Sequence, residues 1–422
     1  MSKKQQHTAA VAVGSRFSLA AHPFANVPQA ELESLNALQG EFNNDSRSHK
    51  TDLMRGVYQT KDGGPYVFPS VKMARQMLFD DPEWEHEYPA SHLGEAEFRD
   101  LSARLLFGDE SQTALGGSGA CHMGARFLRK HYEPYKSDPE RNVYIPAESW
   151  VNHPNVFHDA GFKTIDLPYY SSSTHSFDFD SFNEALIKAP SQSIIVLQVC
   201  GNNPTGCDPS TEQWQRLAHT FQAKQHFAFL DLSYPGFVSG SVAKDCMPIR
   251  IFDEVEIPLL VAATYGKMLG LYGERVGYLC LSLPTAEAAA RSEQQMKLLA
   301  RAETGAQPRF GARLVSNILG TPRLKAQWEE DIKRLAEDLA DRRKKLKIEL
   351  LRGNSEHDWD FVTSQAGMFL YTSFKREQVT QLRAEHAVYL QDTGRLSIAG
   401  LNEHNIAHVA ESMEKVSGQQ NC

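Results

Sequence analysis

Reactive residue types recur just past the ends of apolar runs in this chain, where a parallel sheet would bring them together. Asn202-Asn203-Pro204-Thr205-Gly206 follows the run 194–197. Asp231-Leu232-Ser233-Tyr234 follows the run 227–230. Thr264-Tyr265-Gly266-Lys267 follows the run 259–263, with Leu271-Tyr272-Gly273-Glu274-Arg275-Val276-Gly277 close behind. Alone, each has a plain structural reading: a turn, a helix cap, a solvated lysine. Together they fit one chemistry. A lysine forms an imine with an aldehyde. An aspartate keeps a pyridine nitrogen protonated, which makes the ring an electron sink. A tyrosine and an asparagine hydrogen-bond a phenolate oxygen on such a ring and lower the imine pKa. An arginine and a hydroxyl beside the lysine clamp a phosphate. Upstream, Gly116-Gly117-Ser118-Gly119-Ala120 enters a helical pattern through Met123 and Phe127. Bare N–H groups at a helix N-terminus bind phosphate.

The elements that must hold these residues alternate. Short apolar runs at 194–197, 227–230, 259–263 and 276–283 are separated by helical patterns. That order implies an α/β fold with a mostly parallel sheet covered on both faces. Asp208-Pro209-Ser210 leads into a helix with Trp214, Leu217, Ala218 and Phe221 inward. Pro69 and Ser70 open another, read as serine-capped. From Pro322 one helical period runs through Leu324, Trp328, Ile332, Leu335, Leu339 and Leu346 and stops near Gly353. A helix this long often bridges two domains. We expect a large domain at 66–334 and a small one from both chain ends, 1–65 and 335–422.

The 422 residues are too many for one compact core. A net charge of -8 without a long basic run argues against nucleic acid and anionic membrane as partners. No apolar stretch approaches the roughly 20 residues that span a bilayer. Six cysteines, none in a CxxC spacing, imply reduced intracellular thiols. His404 and His408, four apart on an expected helix, have no third ligand nearby in sequence. Residues 1–22 read as a mobile tail in a cytoplasmic protein, with a mitochondrial presequence as the alternative.

The order and spacing of these motifs resemble the aspartate aminotransferase family of fold-type I pyridoxal-phosphate enzymes, from about Phe24 to Val416. The resemblance implies transfer of an amino group from an acidic amino acid to a 2-oxo acid. It also implies pyridoxal 5'-phosphate as cofactor and a homodimer with shared active sites. Lys267 matches the family's Schiff-base lysine and proton shuttle, and Asp231 its pyridinium partner. Tyr234 and Asn203 match the phenolate-oxygen ligands, while Gly117, Ser118, Thr264 and Arg275 match phosphate contacts. Trp150 matches the residue stacked near the ring, and Tyr88 one that reaches the partner subunit's phosphate. Arg395 matches the arginine that forks onto the substrate α-carboxylate, and Gly56 a backbone contact to that group. Arg301 matches the arginine that reads a side-chain carboxylate in the neighbouring subunit's site.

Departures cluster at the substrate mouth and the subunit boundary. Arg55 stands where the family has an apolar residue. It either faces the ligand, favouring a larger or more anionic substrate, or turns outward; Glu303 is a candidate partner for Arg55 or Arg301. Gly305-Ala306-Gln307-Pro308 replaces the family's Ser-Asn-Pro-Pro, Asn202 replaces a histidine, and Cys121-His122 replaces Leu-Arg. The competing chemistries on the same cofactor are β- or γ-elimination or replacement, and transamination of aromatic amino acids. A non-catalytic scaffold is disfavoured by retention of Lys267, Asp231, Tyr234, Arg275 and Arg395.

Overall fold

A computed structural model describes residues 34–107, 118–353 and 357–418. The expected N-terminal tail, Gly117 and Cys422 lie outside the described residues, and the side chain of Ser118 is likewise not described.

Six strands form the central sheet: β1 Asn142–Pro146, β2 Lys163–Leu167, β3 Ile194–Gln198, β4 Phe227–Leu232, β5 Leu259–Thr264 and β6 Gly277–Leu281. Their order is β2-β1-β3-β4-β5-β6. Every pairing is parallel except β5 with β6, so the expected mostly parallel sheet carries one antiparallel edge. All residues of β3 and β4 are buried. Helices cover both faces of such a sheet, and this explains why these runs are apolar throughout rather than alternating. The chain reverses direction across the sheet between β1 and β3. Crevices at the carboxyl ends beside such a reversal are where open α/β sheets bind ligands.

The helix Pro322–Leu350 ties this sheet to the chain ends. Near its start, buried Trp328 donates from Nε1 to the Met268 carbonyl at 2.8 Å, one residue past Lys267. Further along, Arg342 donates to the carbonyls of Gln59, Ala399 and Leu401, while Arg343 donates to those of Val362, Ala366, Gly367 and Phe369. A buried guanidinium is costly unless its donors are satisfied; these carbonyls take the terminal nitrogens, while Arg343 Nε is buried without a hydrogen-bond partner. Burial lowers Arg343 to about 9. The two chain ends meet where Thr51–Asp52 pairs in parallel with Val388–Tyr389.

Two local expectations are corrected. Ser70 does not cap the helix Pro69–Asp80; Phe68 holds the cap position, and the Ser70 N–H donates 3.0 Å to Asp331 of the long helix. A distant carboxylate thus satisfies an N–H that has no partner within its own helix. His404 precedes the last helix, Ile406–Ser417, so it does not share a helical face with His408. The capping reading at Ser210 holds: its hydroxyl accepts from the Gln213 N–H in a capping box.

Candidate active site

A cavity of roughly 570 Å³ lies at the carboxyl ends of β3, β4 and β5. Arg55, Gly56, Trp150, Asn203, Asp231, Tyr234, Thr264, Lys267, Arg275 and Arg395 all line it. Strand register brings the floor together, because Asp231 pairs across the sheet with Gln198 on one side and Ala262 on the other.

Asp231 is only 5% exposed. Ser233 Oγ donates to its Oδ1 at 2.9 Å, and His153 Nε2 lies 3.3 Å from its Oδ2. That second contact is not aligned as a hydrogen bond, and His153 Nε2 is buried without a hydrogen-bond partner. Behind it, His153 Nδ1 is 2.8 Å from Ser149 Oγ. Gln198 Nε2 reaches Ser149 Oγ at 3.4 Å and the Asn203 carbonyl at 3.0 Å, while Gln198 Oε1 accepts from the Asn203 N–H at 3.0 Å. Asp208, pushed up to about 6 by burial, accepts from the N–H groups of Gly201 and Asn202. The Asn203 loop is therefore held by side chains on both sides.

Lys267 sits in the short helix Tyr265–Met268, just past β5. Thr264 caps that helix: its hydroxyl accepts from Gly266 N and donates to the Val276 carbonyl. Lys267 Nζ donates 3.0 Å to the Gly56 carbonyl and lies 4.8 Å from the centre of the Tyr272 ring. Burial, with the positive charges of Arg275 and Arg395, lowers its pKa to about 8. Desolvation disfavours the charged amine, and nearby cations add to the effect. A neutral amine at mild pH is what a nucleophile and proton acceptor needs.

Arg395 opens the short strand Arg395–Ser397. Its guanidinium donates to Asn203 Oδ1 at 2.8 Å and to the Met54 carbonyl, and it stacks 4.1 Å over Phe369. Its Nε is buried with no hydrogen-bond partner. Gly56 must be glycine for space, because a Cβ there would meet Phe369 Cζ at 2.7 Å. Arg275, at φ 56°, holds a left-handed backbone conformation that non-glycine residues seldom adopt. Its Nη1 donates to the Tyr272 carbonyl at 3.2 Å.

Two expected residues stand apart. Tyr88 is 81% exposed, and Arg301 is exposed near the end of the helix Ala286–Glu303; neither lines this chain's cavity. Glu303 serves neither Arg55 nor Arg301, since it lies 3.6 Å from Arg126 and 3.9 Å from His122. Arg55 is exposed and lines the cavity.

The family model for class I and II aminotransferases matches residues 48–413. The chain belongs to that family. A cytoplasmic aspartate aminotransferase of Saccharomyces cerevisiae is 34% identical over 411 residues, covering 93% of this chain and 96% of that one. The solved aspartate aminotransferase from the cytoplasm of that yeast superposes with TM-score 0.89 at 33% identity, covering 93% of this chain and 98% of that one. An aromatic-amino-acid aminotransferase from Burkholderia pseudomallei, covalently bound to pyridoxal phosphate, superposes with TM-score 0.88 at 31% identity, covering 94% and 99%.

Pyridoxal phosphate is the cofactor of this aminotransferase family, and the cavity fits it. Asp231 is a buried carboxylate lacking an aligned cationic donor, which suits a pyridinium. Lys267 offers a desolvated amine lining the same cavity. Sequence reasoning missed several supporting groups. Gln198 closes the apolar run 194–197 as Asp231 closes 227–230, a signal its position carries. Tyr272 lies inside the segment 271–277, and His153 three residues past Trp150, neither with a role assigned from sequence. Phe369, under Arg395, had no local signal.

Proposed function

We propose that this aminotransferase moves the amino group of an acidic amino acid to a 2-oxo acid, working as a cytoplasmic homodimer with a large body at 66–334 and a small one from both chain ends. The observation that carries this reading is one cavity joining the desolvated Lys267 amine, the buried Asp231 carboxylate and the buried Arg395 fork. When bound, pyridoxal phosphate supplies an aldehyde for exchange with amino groups and a ring that draws electrons from the substrate α-carbon.

The residues divide the remaining work. Asp231, flanked by Ser233 and His153, holds a proton on the ring nitrogen. Asn203, its Oδ1 taken by Arg395, would have its amide N–H groups free to hold a ring oxygen of the cofactor together with Tyr234. Arg275 would receive the phosphate, with Gly117 and Ser118 assigned to it from the sequence alone. Thr264 joins them only by turning its proton away from Val276. Trp150 covers the ring. Arg395 forks onto the α-carboxylate beside the Gly56 backbone. Lys267 Nζ would be the group that accepts and returns the substrate α-proton.

Support for an acidic substrate comes from relatives named aspartate aminotransferase and from Arg55 at the mouth. Arg301 and Tyr88, away from their own cavity, are assigned to the partner subunit's site. The exposed aromatic side chains Phe79 and Tyr88 support a covered surface. A second reading, aromatic transamination, is favoured by the aromatic-amino-acid aminotransferase likeness and by Phe369, Tyr371 and Tyr272 in the cavity wall. A single-turnover assay with aspartate tests the proposal. It should yield a 2-oxo acid and aminated cofactor in equal amounts. Release of ammonia with unchanged cofactor would point to elimination instead.

A further inference from the structure

Cys121 has no part in this division of labour, yet it lines the same cavity. It lies in the first turn of the helix Ser118–His131 and is 5% exposed. Its sulfur, a ring nitrogen of His153 and a carboxylate oxygen of Asp231 all lie within 4.8 Å of one another. His153 is fully buried, and its Nε2 has no hydrogen-bond partner. One sulfur, one imidazole nitrogen and one carboxylate oxygen form a donor set that suits zinc. The cavity offers solvent for a fourth position, as in zinc sites with an open coordination place.

We propose that in the cofactor-free chain Cys121, His153 and Asp231 bind zinc or a similar borderline-soft divalent cation, and that this cation and pyridoxal phosphate exclude one another at Asp231. The charges balance in a buried place. A thiolate and a carboxylate together cancel a divalent cation, and neutral imidazole adds nothing. Binding displaces the Cys121 thiol proton to solvent, as a coordinating metal does for thiols generally. Ser149 Oγ supports the required tautomer. With the His153 proton on Nδ1, Ser149 Oγ, 2.8 Å away, would accept it and leave the Nε2 lone pair free. With the cofactor bound, the opposite tautomer lets His153 face Asp231 as a donor, and the same hydroxyl serves that arrangement too.

The metal half of this inference stands on the donor geometry alone. The exclusion half rests on the proposed role of Asp231. Cobalt(II) titrated into the full-length chain stripped of cofactor is the probe. We expect one equivalent to bind with a thiolate-to-cobalt charge-transfer band. Prior loading with pyridoxal phosphate should prevent that band. Cys121→Leu should lose the band and weaken cobalt binding at least about tenfold, while still taking up pyridoxal phosphate, which shows that it folds. Absence of the band in the unmodified chain, or the same band in Cys121→Leu, overturns the metal site. A band that pyridoxal phosphate leaves untouched overturns the exclusion and counts against Asp231 as the ring partner. The aspartate turnover assay is independent of both results.

Discussion

Asn203 and Arg395 stand 192 positions apart in the chain and are joined by a 2.8 Å hydrogen bond inside the cavity. The contact links the loop after β3 to the strand Arg395–Ser397. Arg395 is thereby oriented before substrate arrives, and burial lowers its pKa to about 10, still leaving it charged near neutrality. Arg395→Ala should weaken every amino-acid substrate. Removing one partner of a desolvated charge pair costs about 2 kcal/mol or more, roughly thirtyfold in kcat/KM. Steady-state kinetics on aspartate and phenylalanine check this, and a loss confined to one substrate would count against the α-carboxylate role.

Asp231→Ala should leave cofactor uptake measurable but cripple turnover. Electrostatic stabilisation of this kind is commonly worth about 3 kcal/mol, or more than a hundredfold in rate. Rapid-quench measurement of the aspartate half-reaction reads it. A loss below about tenfold would remove Asp231 from the ring nitrogen.

Capture of pyridoxal phosphate by the cofactor-free protein should speed up as pH rises and level off above about 8. The folded amine of Lys267 is lowered to about 8 by burial and by Arg275 and Arg395. Below that pH the amine is protonated and cannot attack; above it the free base is present. Stopped-flow absorbance over a pH series gives the midpoint. A midpoint near 10, the ordinary lysine range, would mean the amine is not desolvated as described.

Arg301→Ala should reduce kcat/KM more for aspartate and glutamate than for phenylalanine and alanine, because it removes a charge partner of the side-chain carboxylate. Arg55→Val, restoring an apolar residue, should shift preference from larger anionic substrates back towards aspartate. Equal losses across all four substrates, or a wild-type preference for phenylalanine, would favour aromatic transamination.

Much of this site was legible because its chemistry is carried by residue types that are conspicuous at strand ends. Lys267, Asp231 and Asn203 each follow a continuous apolar run, and parallel register converts those separate ends into one floor. The supporting groups were harder to see. Ser70 looked like a cap, yet its N–H is satisfied by Asp331, 261 positions away. Phe369 reaches Arg395 through the antiparallel pairing of Phe369–Tyr371 with Arg395–Ser397. Glu303 was read as a partner for the substrate-side arginines, but the turn at Thr304-Gly305 leaves it with Arg126 and His122. Such pairings depend on tertiary approach, which local patterns do not encode.

Borohydride reduction of the protein loaded with pyridoxal phosphate, followed by peptide mapping, tests the assignment of the cofactor lysine most directly. The reduced label should appear on the peptide carrying Lys267. Lys267→Ala should show neither the visible absorbance of the linked cofactor nor exchange of the substrate α-proton. Label on any other lysine, or full turnover by Lys267→Ala, would contradict the central assignment.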